Sequence, residues 1–312
     1  MTTLRAVCIL GPTGSGKTGA ALALARAFQA DRPVSVINYD SRQVYADFPI
    51  VTAQPDAAER AVCPHALYGF LPTAQAMTAA RFAELARAEI AKAREQGRVP
   101  VLVGGTGLYL RALEQGLADI PPIPQEVRDW VLGRMEREGS AVLHADLAKA
   151  DPTTARRLHP NDTQRITRAL EVFLGTGRPL SAWFEDQKRG QSGVELCKLG
   201  LSYTLRELEP GLRKRIDAML GLGAVDEMRT AWEATPERTA PGYSGIGCTE
   251  LLGHLLDGMD LAETCGLWFR NTRAYAKRQL TWFAKEQQVH WVRPEGLGRL
   301  PELVRTWDSG SG

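Results

Sequence analysis

Cysteine is scarce in this chain and does not group: Cys8, Cys63, Cys197, Cys248 and Cys265 are the five cysteines in 312 residues, and no C-x-x-C pair occurs. An odd, scattered set argues against both a disulfide framework and a structural zinc site. The five histidines show no metal-ligand spacing either, so none is assigned to a metal. Long hydrophobic runs are missing as well. No stretch approaches the roughly 18 apolar residues of a membrane span, and the first residues lack the basic start and apolar core of a secretory leader. No membrane partner is expected, and a reducing cytoplasm is the expected compartment. Charge of one sign is also lacking, since 38 Lys and Arg against 36 Asp and Glu leave a net +2. That balance does not announce a nucleic-acid binder, so any RNA-directed function has to come from local clusters. A hydrophobic share of 44% lets the chain bury a large core, and its length suits about two domains.

What is present begins at residue 11. Gly11 to Thr18, reading GPTGSGKT, follows the apolar run Ala6 to Leu10 and opens an alanine-rich helical stretch. Strand, glycine-rich loop and helix in that order are what a phosphate-binding loop requires. Gly11, Gly14 and Gly16 let the backbone turn tightly and bring loop amides to a phosphate, and the helix N-terminus adds partial positive charge. Lys17 adds a point charge, and Thr18 offers a hydroxyl to Mg2+.

Short apolar runs alternate with helical stretches over the first hundred residues: strand 6–10, helix 17–29, strand 34–38, helix 78–96 and strand 99–103. This predicts an α/β fold of the P-loop NTPase type, a parallel sheet flanked by helices, with the loop at the C-terminal edge of the sheet. From about Ile120 to Gln191 strand character disappears, and helical patterns are punctuated by Pro121-Pro122, Asp151-Pro152, His159-Pro160 and Gly175-Thr176-Gly177. An all-helical insertion, 118–195, is therefore expected inside a core made of 1–117 and 196–312. Strand character returns at Cys197 to Leu201, followed by helices expected at 212–231, 247–256 and 261–286.

Strand 34–38 runs into Asn38-Tyr39-Asp40-Ser41-Arg42-Gln43, which puts Asp40 at the same sheet edge as the loop. A carboxylate there is placed to hold Mg2+ or to act as a base, and the competing reading is a cap for a helix starting at Ser41. Strand 99–103 ends instead in Gly104-Gly105-Thr106-Gly107, where a hydrolysing P-loop enzyme would often carry a metal-binding aspartate. The missing acid weakens an ATPase reading, and the glycine-rich turn reads as a second wall of the phosphate site. Further on, Arg270 to Lys285 carries Arg270, Arg273, Lys277, Arg278 and Lys285 with no acidic residue, and the first three share one helical face. Most such runs are solvated helix faces, but five cations without a counter-charge keep a phosphate backbone in contention. A smaller cluster in the insertion comprises Arg156, Arg157, Arg165 and Arg168.

In these segments the chain resembles the tRNA dimethylallyltransferases, isopentenyltransferases that modify the adenosine next to the anticodon. The resemblance runs over nearly the whole length: GPTGSGKT at 11–18, DSRQVY at 40–45, TAQP at 52–55, PHALYGF at 64–70, GGTGLYL at 104–110, HPND at 159–162, RALEV at 168–172, TGRPLS at 176–181 and NTRAYAKRQLTWF at 271–283. It implies that Gly11, Pro12, Thr13, Gly14, Ser15, Gly16, Lys17 and Thr18, with Arg215, hold the diphosphate of dimethylallyl diphosphate, with Mg2+ on Thr18. Asp40 would be the general base for the exocyclic N6 amine of the adenosine 3′ to the anticodon, in tRNAs reading codons that start with U. Lys17 and Thr106 would complete the catalytic set.

The same resemblance implies that Asp40, Ser41, Arg42, Gln43 and Thr106 meet the extruded base. Arg128, Gln164, Arg165, Ile166, Thr167 and Arg168 of the insertion would grip the anticodon stem-loop, and Ser244, Gly247, Thr249, Lys277, Arg278, Gln279 and Trp282 would meet RNA from the core. No obligatory protein partner is implied. The chain departs from the family pattern at Gly247-Cys248-Thr249-Glu250, where relatives commonly read Gly-Tyr-Lys/Arg-Glu, and at 46–51. It departs again at Gly211, where an arginine is usual four residues before Arg215, leaving Arg213 or Lys214 as substitutes. Read without the resemblance, the residues leave open a small-molecule kinase, prenyl transfer to free adenine nucleotides, and a non-enzymatic RNA-binding protein.

Overall fold

The computed structural model describes residues 3–187 and 193–309; residues 188–192 of the expected helical insertion lie outside them, and its expected last residues, 194 and 195, belong to a strand instead. The chain runs β1 (Leu4–Leu10), α1 (Lys17–Phe28), β2 (Val34–Asn38), α2 (Ala57–Val62), β3 (His65–Ala66), α3 (Ala79–Glu95), β4 (Val99–Gly104) and α4 (Gly107–Gln115). Helices α5 (Gln125–Glu138), α6 (Ser140–Ala150), α7 (Pro152–Ala155), α8 (Thr163–Thr176) and α9 (Leu180–Asp186) come next. Then follow β5 (Val194–Leu201), α10 (Leu205–Gly221), α11 (Ala224–Ala234), α12 (Cys248–Asp257), α13 (Leu261–Phe283), β6 (Val289–Val292) and α14 (Leu300–Asp308).

The strands form one six-stranded sheet in the order β3-β2-β4-β1-β5-β6, and every neighbouring pair is parallel. Burial explains the architecture: Ala6 to Leu10 of β1 are 0% exposed, as expected of a strand covered on both faces. Alternate residues serve the two faces. Val7 and Ile9, with Val36, Val101 and Leu199, pack with α1 and α14, while Ala6, Cys8 and Leu10, with Ile37 and Leu102, pack with α3, α4 and α13. Each such Val, Leu or Ile contributes about 1.5–3 kcal/mol by leaving water. A third apolar cluster joins α10, α11, α12 and α13 to the segment 44–51 through Val44, Phe48, Leu212, Met228, Leu251 and Trp268.

The chain divides into two compact units, Met1–Glu114 with Ser192–Gly312, and Gln115–Gln191. The second has a core of its own, in which Val131, Leu143, Leu147, Ile166 and Leu170 meet. Asp151 is buried there, accepting from Thr154 N at 3.0 Å and Ser181 N at 2.9 Å, and so ties the start of α7 to that of α9.

Two expectations change. The helix expected over 212–231 is two helices, α10 and α11, because Gly223 adopts a left-handed φ of 97° that interrupts the run. The stretch expected as helix to residue 286 stops at Phe283, and β6 and the two-residue β3 add short strands that periodicity over so few residues does not reveal.

Candidate active site

The ends of β1, β2 and β4 open onto a cavity of about 490 Å3 lined by the loop after β1, by residues 40–43 and 51–54, and by α10 and α13. Thr13, Gly14, Gly16, Lys17 and Thr18 line it from the loop. Gly14 and Gly16 both have positive φ, 77° and 81°, a conformation that a side chain would strain. Gly11 and Pro12 turn their carbonyls to Lys17 Nζ at 2.9 and 2.8 Å, and Ser15 is buried beside Gly11 with no partner for its hydroxyl. Burial pulls Lys17 down to about 8, against the pull of Asp40 in the other direction, and Arg215 lowers it further. Arg215 reaches the same cavity from α10, donating to Thr52 O at 3.4 Å; burial lowers its pKa and Asp40 opposes the shift. Asp40 thus faces both Lys17 and Arg215 across one cavity.

Asp40 does two jobs with its two oxygens. No helix starts at Ser41, but Oδ1 accepts the Arg42 amide at 2.8 Å, fixing a tight turn at the end of β2. Oδ2 lies on the Gly105 side, and the residue lines the cavity. Thr106 stands next to it: its Oγ1 accepts Ser41 N at 2.9 Å and donates to Ser41 Oγ at 3.3 Å. The glycine ending β4 is a steric requirement. A Cβ on Gly104 would lie 2.5 Å from the Tyr39 carbonyl carbon and 2.8 Å from the Asp40 amide nitrogen, so β2 and β4 approach this closely only without a side chain there.

Several expected contacts have other work. Arg42 donates to Ser244 Oγ at 2.8 Å, joining two cavity walls, and Gln43 spends its amide on the carbonyls of Thr52 (3.0 Å) and Ala53 (2.7 Å). Gly247 is buried at φ 96°, where a Cβ would meet Val51 and Trp268 within 2.8 Å, so a glycine is needed for this close approach. Thr249 Oγ1 turns back onto Tyr243 O at 2.9 Å. Trp282 buries its indole nitrogen against Gly107 and takes Arg111 over its ring at 4.7 Å. Gln279, expected at RNA, is 4% exposed. In the other unit Ile166 and Thr167 are buried, the Thr167 hydroxyl bonding back to Thr163 O, while Gln164, Arg165 and Arg168 are exposed on α8 and Arg128 is half-buried on α5.

The cationic face of α13 is also rearranged. Arg273 pairs with Glu209 of α10 at 2.5 Å, so the run has a counter-charge from a distant helix. Lys277 is exposed, and Arg278 turns into the cavity. The residues of α13 that line it are Trp268, Thr272, Tyr275 and Arg278. The first three recur at i, i+4 and i+7, a spacing that would have found this face. Arg213 and Lys214 are exposed, Arg213 lying over the Phe269 ring at 3.7 Å, so neither substitutes for the missing arginine at Gly211. The segment 46–51 is held by Glu227, whose carboxylate accepts from Ile50 N at 2.6 Å and Val51 N at 2.8 Å.

The donor chemistry suits a substrate-carried Mg2+. Among the described residues no cluster of three or more acidic, His or Cys side chains is built to hold a metal, whereas Thr18 and Asp40 offer hard oxygens in the cavity. One or two protein oxygens plus substrate phosphates are the usual set for this ion.

A family model described as IPP transferase matches residues 43–286. The chain belongs to that family. Members of the IPP transferase family are prenyltransferases, so this chain is an enzyme. It is 52% identical, over 96% of each chain, to the tRNA dimethylallyltransferase of Maridesulfovibrio salexigens, and 49% identical to that of Oleidesulfovibrio alaskensis over 98% of this chain and 99% of the relative. Among solved structures it is similar to the full-length tRNA isopentenylpyrophosphate transferase of Bacillus halodurans (30% identity, TM-score 0.69, 99% and 100% covered). A eukaryotic dimethylallyltransferase solved acting on tRNA gives a TM-score of 0.77 at 28% identity, with 98% of this chain and 80% of that chain covered. The parallel sheet flanked by helices, of P-loop type, is thus shared with solved members of the family.

Proposed function

We propose that this IPP transferase moves a dimethylallyl group from dimethylallyl diphosphate to the N6 amine of the adenosine 3′ to the anticodon, in tRNAs reading codons that start with U. The observation that carries the reading is the single cavity in which Lys17 and Arg215 stand at a glycine-rich loop and Asp40 stands at the neighbouring strand end. The names of its relatives support the tRNA acceptor.

The chemistry follows from those groups. The bond between the allylic carbon and the bridging oxygen breaks, its electron pair leaves with diphosphate, and the amine lone pair forms the new carbon–nitrogen bond. Negative charge grows on the departing diphosphate, where the loop amides, Lys17 and Arg215 stabilise it. Mg2+, held by Thr18 and the diphosphate itself, would neutralise part of that charge. The adenine amine is a weak nucleophile because its lone pair is delocalised into the ring, and Asp40 takes the proton it loses. Thr106, bonded to Ser41, keeps the base-side wall in place. The base has to leave its stack to reach them. Exposed Gln164, Arg165 and Arg168, with Arg128, supply the anticodon-loop contacts in this reading. No helix among the described residues is long and apolar enough to cross a membrane, and the cysteines are free, consistent with work in the cytoplasm where tRNA is found.

Mass analysis of tRNA incubated with the protein, dimethylallyl diphosphate and Mg2+ tests donor, acceptor base and position together. One dimethylallyl group on that adenosine is expected; label appearing on AMP in preference to tRNA overturns the acceptor.

Two further measurements separate the roles of the cations. Burial pulls Lys17 down to about 8, so part of its population is neutral in mildly alkaline solution. An arriving diphosphate favours the charged form, so binding inorganic diphosphate at pH 8 is expected to take up a measurable fraction of a proton more in wild type than in Lys17→Arg, and no more at pH 6. Calorimetry in buffers of different ionisation enthalpy reads the difference, and the ligand's own protons cancel. On α13, Lys277→Ala is expected to lower the slope of log affinity for tRNA against log salt by about one. Arg273→Ala, already paired with Glu209, is expected to change it less. A slope in Lys277→Ala unchanged from wild type would return Lys277 to an ordinary solvated face.

A further inference from the structure

One side chain joins the two halves of the cavity. Gln279 of α13 accepts from Thr13 N, in the glycine-rich loop, at 2.8 Å through Oε1, and donates through Nε2 to the carbonyl of Gly105, at the end of β4, at 2.8 Å. It is 4% exposed, in a helix whose neighbouring Lys277 and Arg278 are exposed. The amide has one orientation here, because a backbone N–H faces one end and a carbonyl the other; turned over, donor would meet donor and acceptor would meet acceptor. The space is committed as well. A Cβ on Gly105 would lie 2.1 Å from Gln279 Nε2, so the glutamine holds this position only because residue 105 is a glycine. Thr13 follows the carbonyls that take Lys17, and Gly105 precedes Thr106, whose hydroxyl bonds Ser41 beside Asp40.

We infer that Gln279 is a positioning residue that fixes the gap between the diphosphate cradle and the adenine-facing edge of the cavity. The inference rests on the prenyl-transfer reading above. In that reaction the carbon must sit between the departing oxygen on one wall and the incoming amine on the other. A displacement of about 1 Å between reacting groups costs on the order of 100-fold in rate. Gln279 touches neither reactant. It acts through Thr13 on the leaving-group side and through Gly105 and Thr106 on the nucleophile side, so its loss changes how bound reactants face each other rather than whether they bind.

The test uses the full chain with saturating donor and tRNA. Gln279→Met keeps the side-chain length and removes both bonds; its single-turnover rate is expected to fall about 10- to 100-fold, with donor KM and tRNA affinity within about threefold of wild type. Gln279→Glu keeps the acceptor for Thr13 and sets an anion against the Gly105 carbonyl, so it is expected to lose rate while the Thr13 amide stays protected from hydrogen exchange. Should Gln279→Met not fold, Gln279→Glu carries the rate comparison alone. Gly105→Ala should lose rate by displacing the amide, and Gly105→Ala combined with Gln279→Ala should be no slower than Gln279→Ala, because the shorter side chain vacates the space. An unchanged rate, or a loss that appears wholly as weaker tRNA binding, overturns the inference and returns Gln279 to RNA contact. Failure of wild type to modify any tRNA would sink the activity reading instead. Thr13 exchange then still decides on Gln279: faster exchange in Gln279→Met supports the strut, and equal exchange ends it.

Discussion

Asp40→Asn is expected to slow the single-turnover transfer by about 100- to 10,000-fold, the range over which a positioned general base contributes. The substitution is chosen from the geometry. Oδ1 of Asp40 accepts the Arg42 amide at 2.8 Å and holds the turn that places Ser41 to Gln43. Asparagine retains an oxygen for that bond, whereas alanine would release the turn and confuse base loss with displacement of the cavity wall. What asparagine removes is the negative oxygen beside Gly105 and the charge facing Lys17 and Arg215. Loss of that charge leaves the two cations freer to bind diphosphate, so donor affinity should hold or improve while the chemical step collapses. Affinity for tRNA, measured by filter binding, should stay within about threefold. A loss of tRNA affinity as large as the loss of rate would make Asp40 a binding residue and remove it from proton transfer.

The second large effect is expected at Lys17. Lys17→Met keeps the aliphatic stem and deletes the charge that the loop carbonyls of Gly11 and Pro12 hold in place. Removing one preorganised group aimed at developing negative charge costs about 100- to 1,000-fold in the chemical step. The charge on diphosphate is larger once the carbon–oxygen bond has broken, so the rate should suffer more than the donor KM. Arg215 remains in the cavity and prevents complete loss. A variant with unchanged rate and only a raised KM would show that Lys17 binds ground state and transition state equally.

The features legible in the sequence are those set by local order. Strand, glycine-rich loop and helix fix the Gly11–Thr18 turn within a few residues, and a strand ending at Asn38 carries Asp40 to the sheet edge whatever else the chain does. What was not legible depends on partners far along the chain. The charges of α13 drew attention to Arg270, Arg273 and Lys277, yet Glu209, 64 residues before Arg273, neutralises one of them. The inward face, Trp268, Thr272 and Tyr275, is decided by packing against α10 and the segment 44–51. Tyr275 illustrates the point: burial raises its pKa and its hydroxyl meets Thr106, a contact across 169 residues (275 minus 106) that no local pattern encodes. Gln279 reads as one polar residue in a basic helix until Thr13 and Gly105 are placed at its two ends. The segment 46–51 departs from the family pattern, and its shape comes from Glu227 on α11.

The close passage of β2 over Gly104 bears on how far this enzyme can drift. Any side chain at the end of β4 would collide with the Tyr39 carbonyl and the Asp40 amide, within 2.8 Å. A metal-binding aspartate at position 104, the usual companion of a hydrolysing loop, therefore does not fit while β2 runs where it does. The strand that carries Asp40 would have to move to admit it, and Asp40 would move with it. The backbone itself thus sets a steric barrier between the two chemistries at this strand end.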